Sequence, residues 1–242
     1  MVITSRTNPT IKELAKLYDK KYRKELGLYL VEGVKPVNEC IAAGCEVDKI
    51  VCTEKLAENY PNAIVVSESV FESVSEEKSP QGVIAAVKIP QNTLESPKNS
   101  CILLDRLQDP GNVGTIIRTA NAAGYKEIYL VGCADPYSPK AVRASMSGIF
   151  FVKINQGTHA EVFEALSNVP KICADMDGEN VFSFTPPEKF CLCIGSEGSG
   201  FGEEVKNQTD FKISIPMDNT CESLNAAISA GIAMYVLKNA QK

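Results

Sequence analysis

Three polar, glycine-bearing segments carry the residue types that can do chemistry. The first reads Leu104-Asp105-Arg-Leu-Gln-Asp109-Pro-Gly111-Asn112-Val-Gly114-Thr-Ile-Ile-Arg118. The second is Ile194-Gly195-Ser196-Glu197-Gly198-Ser-Gly200-Phe-Gly202, and the third Ile215-Pro-Met217-Asp-Asn-Thr-Cys-Glu222-Ser223-Leu224-Asn225. Arg118 offers a planar fork for a phosphate or carboxylate, and equally a surface salt bridge. Asn112 reads as the cap of the helix that carries Arg118. The glycines of the second segment let backbone approach a ligand closely, and Glu197 in their midst can orient a polar group. A plain turn would use the same glycines. Ser223 reads as the N-cap of the last helix. Asn225, a poor residue inside a helix, reads as one kept for a hydrogen bond.

The elements around these segments alternate between strand and helix. Cys101–Leu104 is a short, wholly apolar run, as a buried parallel strand should be. A helix over 112–123 ends at Gly124, and a strand follows at Glu127–Val131. Ser138-Pro139 starts another helix, and Thr158-x-x-Glu161 has the form of a capping box. Strands are predicted at Lys171–Ala174, Phe190–Ile194 and Phe211–Ile215. The last helix carries an apolar stripe of Leu224, Ala227, Ile228, Gly231, Ile232 and Tyr235. Such alternation predicts a mainly parallel sheet with helices on both faces, and it places the three segments at strand carboxyl ends, where such sheets bind ligands.

Upstream lies a separate small α/β region. Asn8-Pro9 opens a helix carrying Ile11, Leu14, Ala15 and Tyr18. Leu28–Val31 is a strand, and a helix from Val34 to Ala43 stops at Gly44. Strands follow at Lys49–Cys52, Ala63–Val66 and Val83–Val87. The stretch from Pro90 to Ser100 holds two prolines, several polar residues and one isolated leucine, the composition of a linker. The domains are therefore drawn at 1–93 and 101–242, with 94–100 between them.

Composition narrows the classes. Of the 242 residues, 44% are hydrophobic and 23% charged, the balance of a globular chain rather than a disordered one. No run of about 18 apolar residues occurs, and the N-terminus lacks an apolar signal core, so neither a membrane nor secretion is expected. The nine scattered cysteines include no Cys-x-x-Cys, and His159 is the one histidine. Buried reduced thiols in a cytoplasmic protein are expected, with no metal. The second segment is not a Gly-x-Gly-x-x-Gly, and no P-loop sequence occurs, which counts against an NAD-dependent oxidoreductase and a P-loop nucleotidase.

Net charge is −5, unsuited to strong non-specific binding of nucleic acid. Charge is uneven, however. Residues 1–30 hold seven Lys or Arg against three acidic residues, a net of +4. Lys20, Lys21, Arg23 and Lys24 surround Tyr22, as a solvated helix end or as a local nucleic-acid-contacting patch. Lys140 and Arg143 form the other candidate patch.

Taken together, Asn112-x-Gly114-x-x-x-Arg118-Thr-Ala, Gly195-Ser-Glu197-Gly-x-Gly200 and Ile215-Pro-Met with Ser223-Leu-Asn225 resemble the three signature motifs of the SpoU family, RNA 2′-O-ribose methyltransferases of the SPOUT class. The N-terminal Arg23-x-x-x-Gly27-x-Tyr29-Leu-Val-Glu32-Gly33 and Pro80-Gln81-Gly82 resemble that family's ribosomal-protein-like RNA-binding domain. The resemblance implies S-adenosylmethionine as cofactor and a SPOUT sheet tied in a deep trefoil knot. It implies a homodimer, with the first-motif helix near the partner's cofactor. It places the cofactor on Gly195, Ser196, Glu197, Gly198, Gly200, Ile215, Met217, Ser223 and Leu224. Catalytic duties would fall to Arg118, Asn112, Glu197, Ser223 and Asn225. The family proposal casts Arg118 as base. A guanidinium with pKa above about 12 is better suited to clamp a phosphate and stabilise a developing alkoxide. Ribosomal RNA is favoured over transfer RNA, because such an added N-terminal domain is commoner in the ribosomal branch. The alternatives are a tRNA methyltransferase and a non-catalytic RNA-binding ribosome-assembly protein. One segment departs from the family: Ser147-Gly148 stands where Gly-Ala is expected.

Overall fold

The computed structural model of the chain describes residues 2–196 and 200–240. It divides into two units: residues up to Pro90 together with Asp135–Phe150, and Gln91–Ala134 together with the chain from Phe151 onward.

Helix starts in the first unit follow local side-chain chemistry. Asn8 Oδ1 accepts the Thr10 N–H at 2.9 Å and Pro9 takes the first position of α1 (Pro9–Lys16). Asp19 does the same for α2 (Lys20–Leu26), accepting from Lys21 N–H at 2.8 Å. β1 (Leu28–Glu32) leads into α3 (Val34–Ala42), whose cap Gly33 has no side chain to offer. Gln81 supplies the acceptor instead, its Oε1 taking the Val34 N–H at 2.9 Å, which gives the Pro80-Gln81-Gly82 motif a structural task. Then come β2 (Val47–Thr53), β3 (Ile64–Val66), α4 (Glu68–Val74) and β4 (Val83–Lys88). The sheet runs β1-β4-β2-β3, antiparallel except for the β2–β3 pair. Ile11, Leu14, Leu17, Val70 and Phe71 from the helices meet Leu28, Leu30, Val51 and Ile84 in its core.

The second unit is built on β5 (Cys101–Asp105), α5 (Pro110–Ala123) and β6 (Glu127–Val131). After α6 (Pro139–Ala144), which packs in the first unit, come β7 (Lys153–Gln156), α7 (His159–Ala165), β8 (Lys171–Asn180) and β9 (Cys191–Ile194). The chain closes with α8 (Glu203–Lys206), β10 (Phe211–Ser214) and α9 (Ala226–Asn239). All six strands pair in parallel, in the order β10-β8-β9-β5-β6-β7. Cys101, Leu103, Tyr129, Val131, Cys173, Cys191 and Cys193 form one core with Val162 and Leu166 around α7 and Val205 of α8. α5 packs beside α9, and α9 lies against β8 and β9. The capping box at Thr158 forms as predicted.

Several expectations need correction. The segment 135–150, drawn inside the second domain, packs in the first unit. Arg23 is the reason: its Nε and Nη2 donate to Asp135 Oδ2 at 2.9 and 2.7 Å, and Nη1 to the carbonyls of Leu17 and Tyr18. Tyr137 adds its ring at 5.0 Å from that of Tyr29. The stretch after Pro90 is no free linker. Asn92 donates to the Ile154 carbonyl, Tyr129 donates its hydroxyl hydrogen to the Glu95 carbonyl, and Leu94 packs on the second core. On α9 the buried face is Ala226, Ala227, Ala230, Ala233, Met234 and Leu237. Of the predicted stripe Ala227 is buried and Leu224, Gly231 and Ile232 are half-buried, while Ile228 and Tyr235 face outward, 56% and 48% exposed. α9 packs on the sheet and α5 through its alanines together with Met234 and Leu237, and this face leaves Ile228 and Tyr235 outside.

Candidate active site

The carboxyl ends of β8, β9 and β10 open onto a cavity of about 950 Å³, within the size range of cofactor pockets. Its walls include Ile194, Gly195, Ser196 and Gly200 from the second motif, and Ile215, Met217, Ser223 and Leu224 from the third. Seven of the nine residues predicted for the cofactor therefore line one cavity. The other two, Glu197 and Gly198, lie outside the described residues.

The glycine loop is closed at its base by two bonds, Ser196 N–H to Gly200 O at 3.2 Å and Gly200 N–H to Ser196 O at 3.0 Å. This brings the backbones together. A Cβ on Gly195 would stand 2.8 Å from the Gly200 carbonyl carbon, so no larger residue fits without moving the wall.

Lining residues that were not foreseen include Ala174, Asp175, Met176 and Asp177 of β8, with Lys206 and Lys212 beyond it. The β8–β10 pairing jumps from Cys173 beside Lys212 to Glu179 beside Ile213, so Ala174–Gly178 bulge out of the ladder. A Cβ on Gly178 would come within 2.4 Å of Ile213 backbone, which makes the glycine obligatory there. The Asp-Met-Asp-Gly run straight after an apolar strand was the available signal.

The cavity rim holds Asp175, Asp177, Asp218 and Glu222 against Lys206 and Lys212. Lys212 pairs with Asp175 at 3.4 Å. The Thr220 hydroxyl and N–H hold the Asp218 carboxyl below the usual carboxylate range. An excess of carboxylates at the lip fits a ligand carrying positive charge.

Asn225 and Asn112 take positions other than those predicted. α5 begins at Pro110, capped by Asp109, whose carboxylate accepts the Gly111 N–H at 2.9 Å. Asn112 is thus the third residue of the helix. α9 is capped by Asn225, not Ser223: Asn225 Oδ1 accepts from Ala227 and Ile228 N–H at 2.9 and 3.3 Å. Its Nδ2 donates to Asn112 Oδ1 at 3.1 Å, joining the first motif to the third. Arg118 is exposed further along α5 and is not among the described residues that line the cavity.

In the first unit Lys20, Lys21 and Lys24 are exposed on α2, with Lys16 and Lys21 over the Tyr22 ring at 5.3 and 5.6 Å. Arg23 is only 3% exposed and holds Asp135, so it leaves the proposed RNA patch. Lys140 is exposed on α6, while Arg143 pairs with Glu77 at 2.8 Å.

The cysteines are free thiols. Burial pushes Cys133 up to about 11 and Cys191 well above the ordinary thiol range, so neither is a ready nucleophile. Among the described residues, no cluster of His, Cys, Asp and Glu could hold a metal, and no helix is long and apolar enough to cross a membrane.

Comparison with known proteins agrees with this geometry. The sequence model of the SpoU rRNA Methylase family matches residues 99–235, and that of the MRM3-like substrate binding domain matches residues 8–85. A 23S rRNA (guanosine(2553)-2′-O)-methyltransferase of Bacillus subtilis is 29% identical, covering 98% of each chain. A 23S rRNA (uridine(2479)-2′-O)-methyltransferase of Streptomyces viridochromogenes is 29% identical over 96% of this chain and 90% of its own. An AdoMet-bound rRNA methyltransferase from Sinorhizobium meliloti superposes with a TM-score of 0.89 at 29% identity, covering 99% of this chain and 97% of that one. The chain belongs to the SpoU rRNA methylase family, the S-adenosylmethionine-dependent methyltransferases of RNA ribose 2′-hydroxyls.

Proposed function

We propose that this protein methylates a ribose 2′-oxygen of large-subunit ribosomal RNA, with S-adenosylmethionine held in the cavity at the ends of β8, β9 and β10. One observation carries the assignment: motif residues distant in sequence line one cavity, and Asn225 fastens that cavity's third motif to the first. The fit is supported by the Gly195 cradle and by the acidic rim, which suits a sulfonium cation. Relatives along nearly the whole chain are named as 23S rRNA methyltransferases, which favours ribosomal over transfer RNA.

When bound, the cofactor supplies an electrophilic methyl group. The protein's own residues do the rest by positioning, and a well-oriented pair can reach effective molarities of about 10⁵ M or more. Backbone around Gly195, Ile215 and Leu224 holds the cofactor, and Glu197 orients substrate or cofactor. Asn112, Ser223 and Asn225 keep the walls in register. Arg118 engages a substrate phosphate and stabilises charge developing on the 2′-oxygen. Lys20, Lys21 and Lys24, with Lys140 in the second patch, attract the RNA.

The enzyme acts as a homodimer in the cytoplasm, one chain's Arg118 completing its partner's site. Two observations support this: Arg118 lies outside the described cavity lining, and α9 presents Ile228 and Tyr235 outward. A trefoil knot accounts for the path from β9 across β8 to β10 and back through Asn225 to the start of α5.

Calorimetric titration with S-adenosylmethionine and with NAD tests the cofactor. Binding of the first alone is expected, and binding of neither would refute the cavity assignment. Methylation mapping of ribosomal RNA from a deletion strain identifies the substrate; an unchanged 2′-O-methyl map would remove ribosomal RNA. Sedimentation of an active monomer would refute the dimer.

A further inference from the structure

We infer that Asp105 is a positioning residue for the cofactor, acting through the Gly202 N–H to set the far wall of the cavity. The inference rests on the assignment of that cavity to S-adenosylmethionine. Asp105 ends β5 and is fully buried, yet it does not line the cavity. A buried carboxylate requires partners, and it has them on both oxygens. Oδ2 accepts the Gly202 N–H at 3.0 Å. Oδ1 lies 2.9 Å from Nε2 of His159, the first residue of α7. The Arg106 guanidinium adds an ion pair at 3.4 Å.

The geometry of Gly202 gives this arrangement its consequence. The 195–202 loop leaves directly from β9 and returns through Gly200 and Phe201, both of which line the cavity. The Ser196–Gly200 pair closes the loop on itself. β5 lies beside β9, with Leu104 opposite Ile194. A side chain one residue beyond that level reaches the returning stem, and Asp105 grips it at the residue after Phe201. Backbone strain marks the same spot. Arg106 holds φ +57, a left-handed conformation that costs a non-glycine residue about 1–2 kcal/mol, and such outliers gather where a site over-determines the chain. Asp105 therefore links the start of the first motif to the end of the second, as Asn225 links the third to the first.

Dissociation constants for S-adenosylmethionine and S-adenosylhomocysteine, measured by calorimetry on the full chain, test the inference. Gly202 has φ −68, compatible with proline, so Gly202→Pro deletes the donor while Asp105 keeps His159. Gly202→Ala controls for the added carbon, whose nearest neighbours are the side-chain ends of Glu204 and Arg106. Gly202→Pro and Asp105→Ala should each weaken binding about tenfold to hundredfold, the range for losing a hydrogen bond to a charged group. Gly202→Ala and Asp105→Asn, whose oxygen still accepts, should stay within about threefold. The double variant Asp105→Ala/Gly202→Pro should bind no more weakly than the worse single one, because both remove one bond. Effects that multiply, or folded variants with unchanged affinity, would overturn the inference. Amide exchange on the unaltered chain decides independently of any variant: the Gly202 N–H should be protected without cofactor, and a freely exchanging one sinks the proposal. If the unaltered chain bound no S-adenosylmethionine while the Gly202 amide was protected, the cavity assignment would fail instead.

Discussion

Asn225 Nδ2 donates to Asn112 Oδ1 at 3.1 Å, across 113 residues of sequence. The direction of that bond is set by the cap: Asn225 Oδ1 is occupied by two helix N–H groups, so only its amide nitrogen faces Asn112. One side chain thus starts α9 and fastens it to α5. The two tasks are separable. Asn225→Ser keeps a good cap but is too short to reach Asn112, so stability should hold within about 0.5 kcal/mol while methyl transfer falls about tenfold. Asn225→Ala loses both and should cost about 1 kcal/mol of stability as well. Thermal melts beside initial rates distinguish them; equal losses of stability would refute the division.

Arg118→Ala should leave affinity for S-adenosylmethionine within a few-fold, since Arg118 does not line the described cavity. Methyl transfer should fall by roughly 10² or more, the size of one lost transition-state contact. Arg118→Lys should also be poor, because an ammonium cannot reproduce the planar fork. Near-normal turnover in Arg118→Ala would remove the residue from the mechanism.

The basic helix α2 divides into two roles. Changing Lys20, Lys21 and Lys24 to Gln should weaken RNA binding and flatten its salt dependence by up to about 2 in slope, with cofactor binding unchanged. Arg23 belongs to the other role. It is buried against Asp135, and Arg23→Ala leaves that carboxylate without its main partner, a loss of about 3–5 kcal/mol. Denaturant unfolding and RNA titrations at several salt concentrations separate the roles. An Arg23→Ala protein of normal stability with weakened RNA binding would reverse the assignment.

Met146 and Ser147 hold φ of +44 and +67 in succession. Ser147 stands at the position where the family resemblance expects glycine, and a left-handed non-glycine residue pays about 1–2 kcal/mol. Ser147→Gly should therefore stabilise the protein by about 0.5–1 kcal/mol after glycine's extra chain entropy is counted. A lower melting temperature for that variant would contradict the strain.

Local chemistry wrote itself into the sequence. Asn8, Ser138 and Thr158 cap the helices they announce, and Cys101–Leu104 is the buried strand its apolar run predicts, because caps and strand periodicity need only near neighbours. The motif residues Gly195, Ile215, Met217 and Leu224 were legible as a set, and they share one cavity. Tertiary structure alone decided the rest. Arg23 looked like a surface cation until Asp135, distant in the chain, buried it. Ile228 and Tyr235 had the spacing of a buried stripe, but the packing of α9 gave the interior to its alanines, Met234 and Leu237. Ser223 and Asn225 are both good caps, and only the folded chain chose Asn225; Asp175–Asp177 became cavity wall through a register jump that no local preference specifies. Each of these outcomes depends on which distant backbone or charge arrives alongside, and sequence spacing contains no distance between chain segments that only folding brings together.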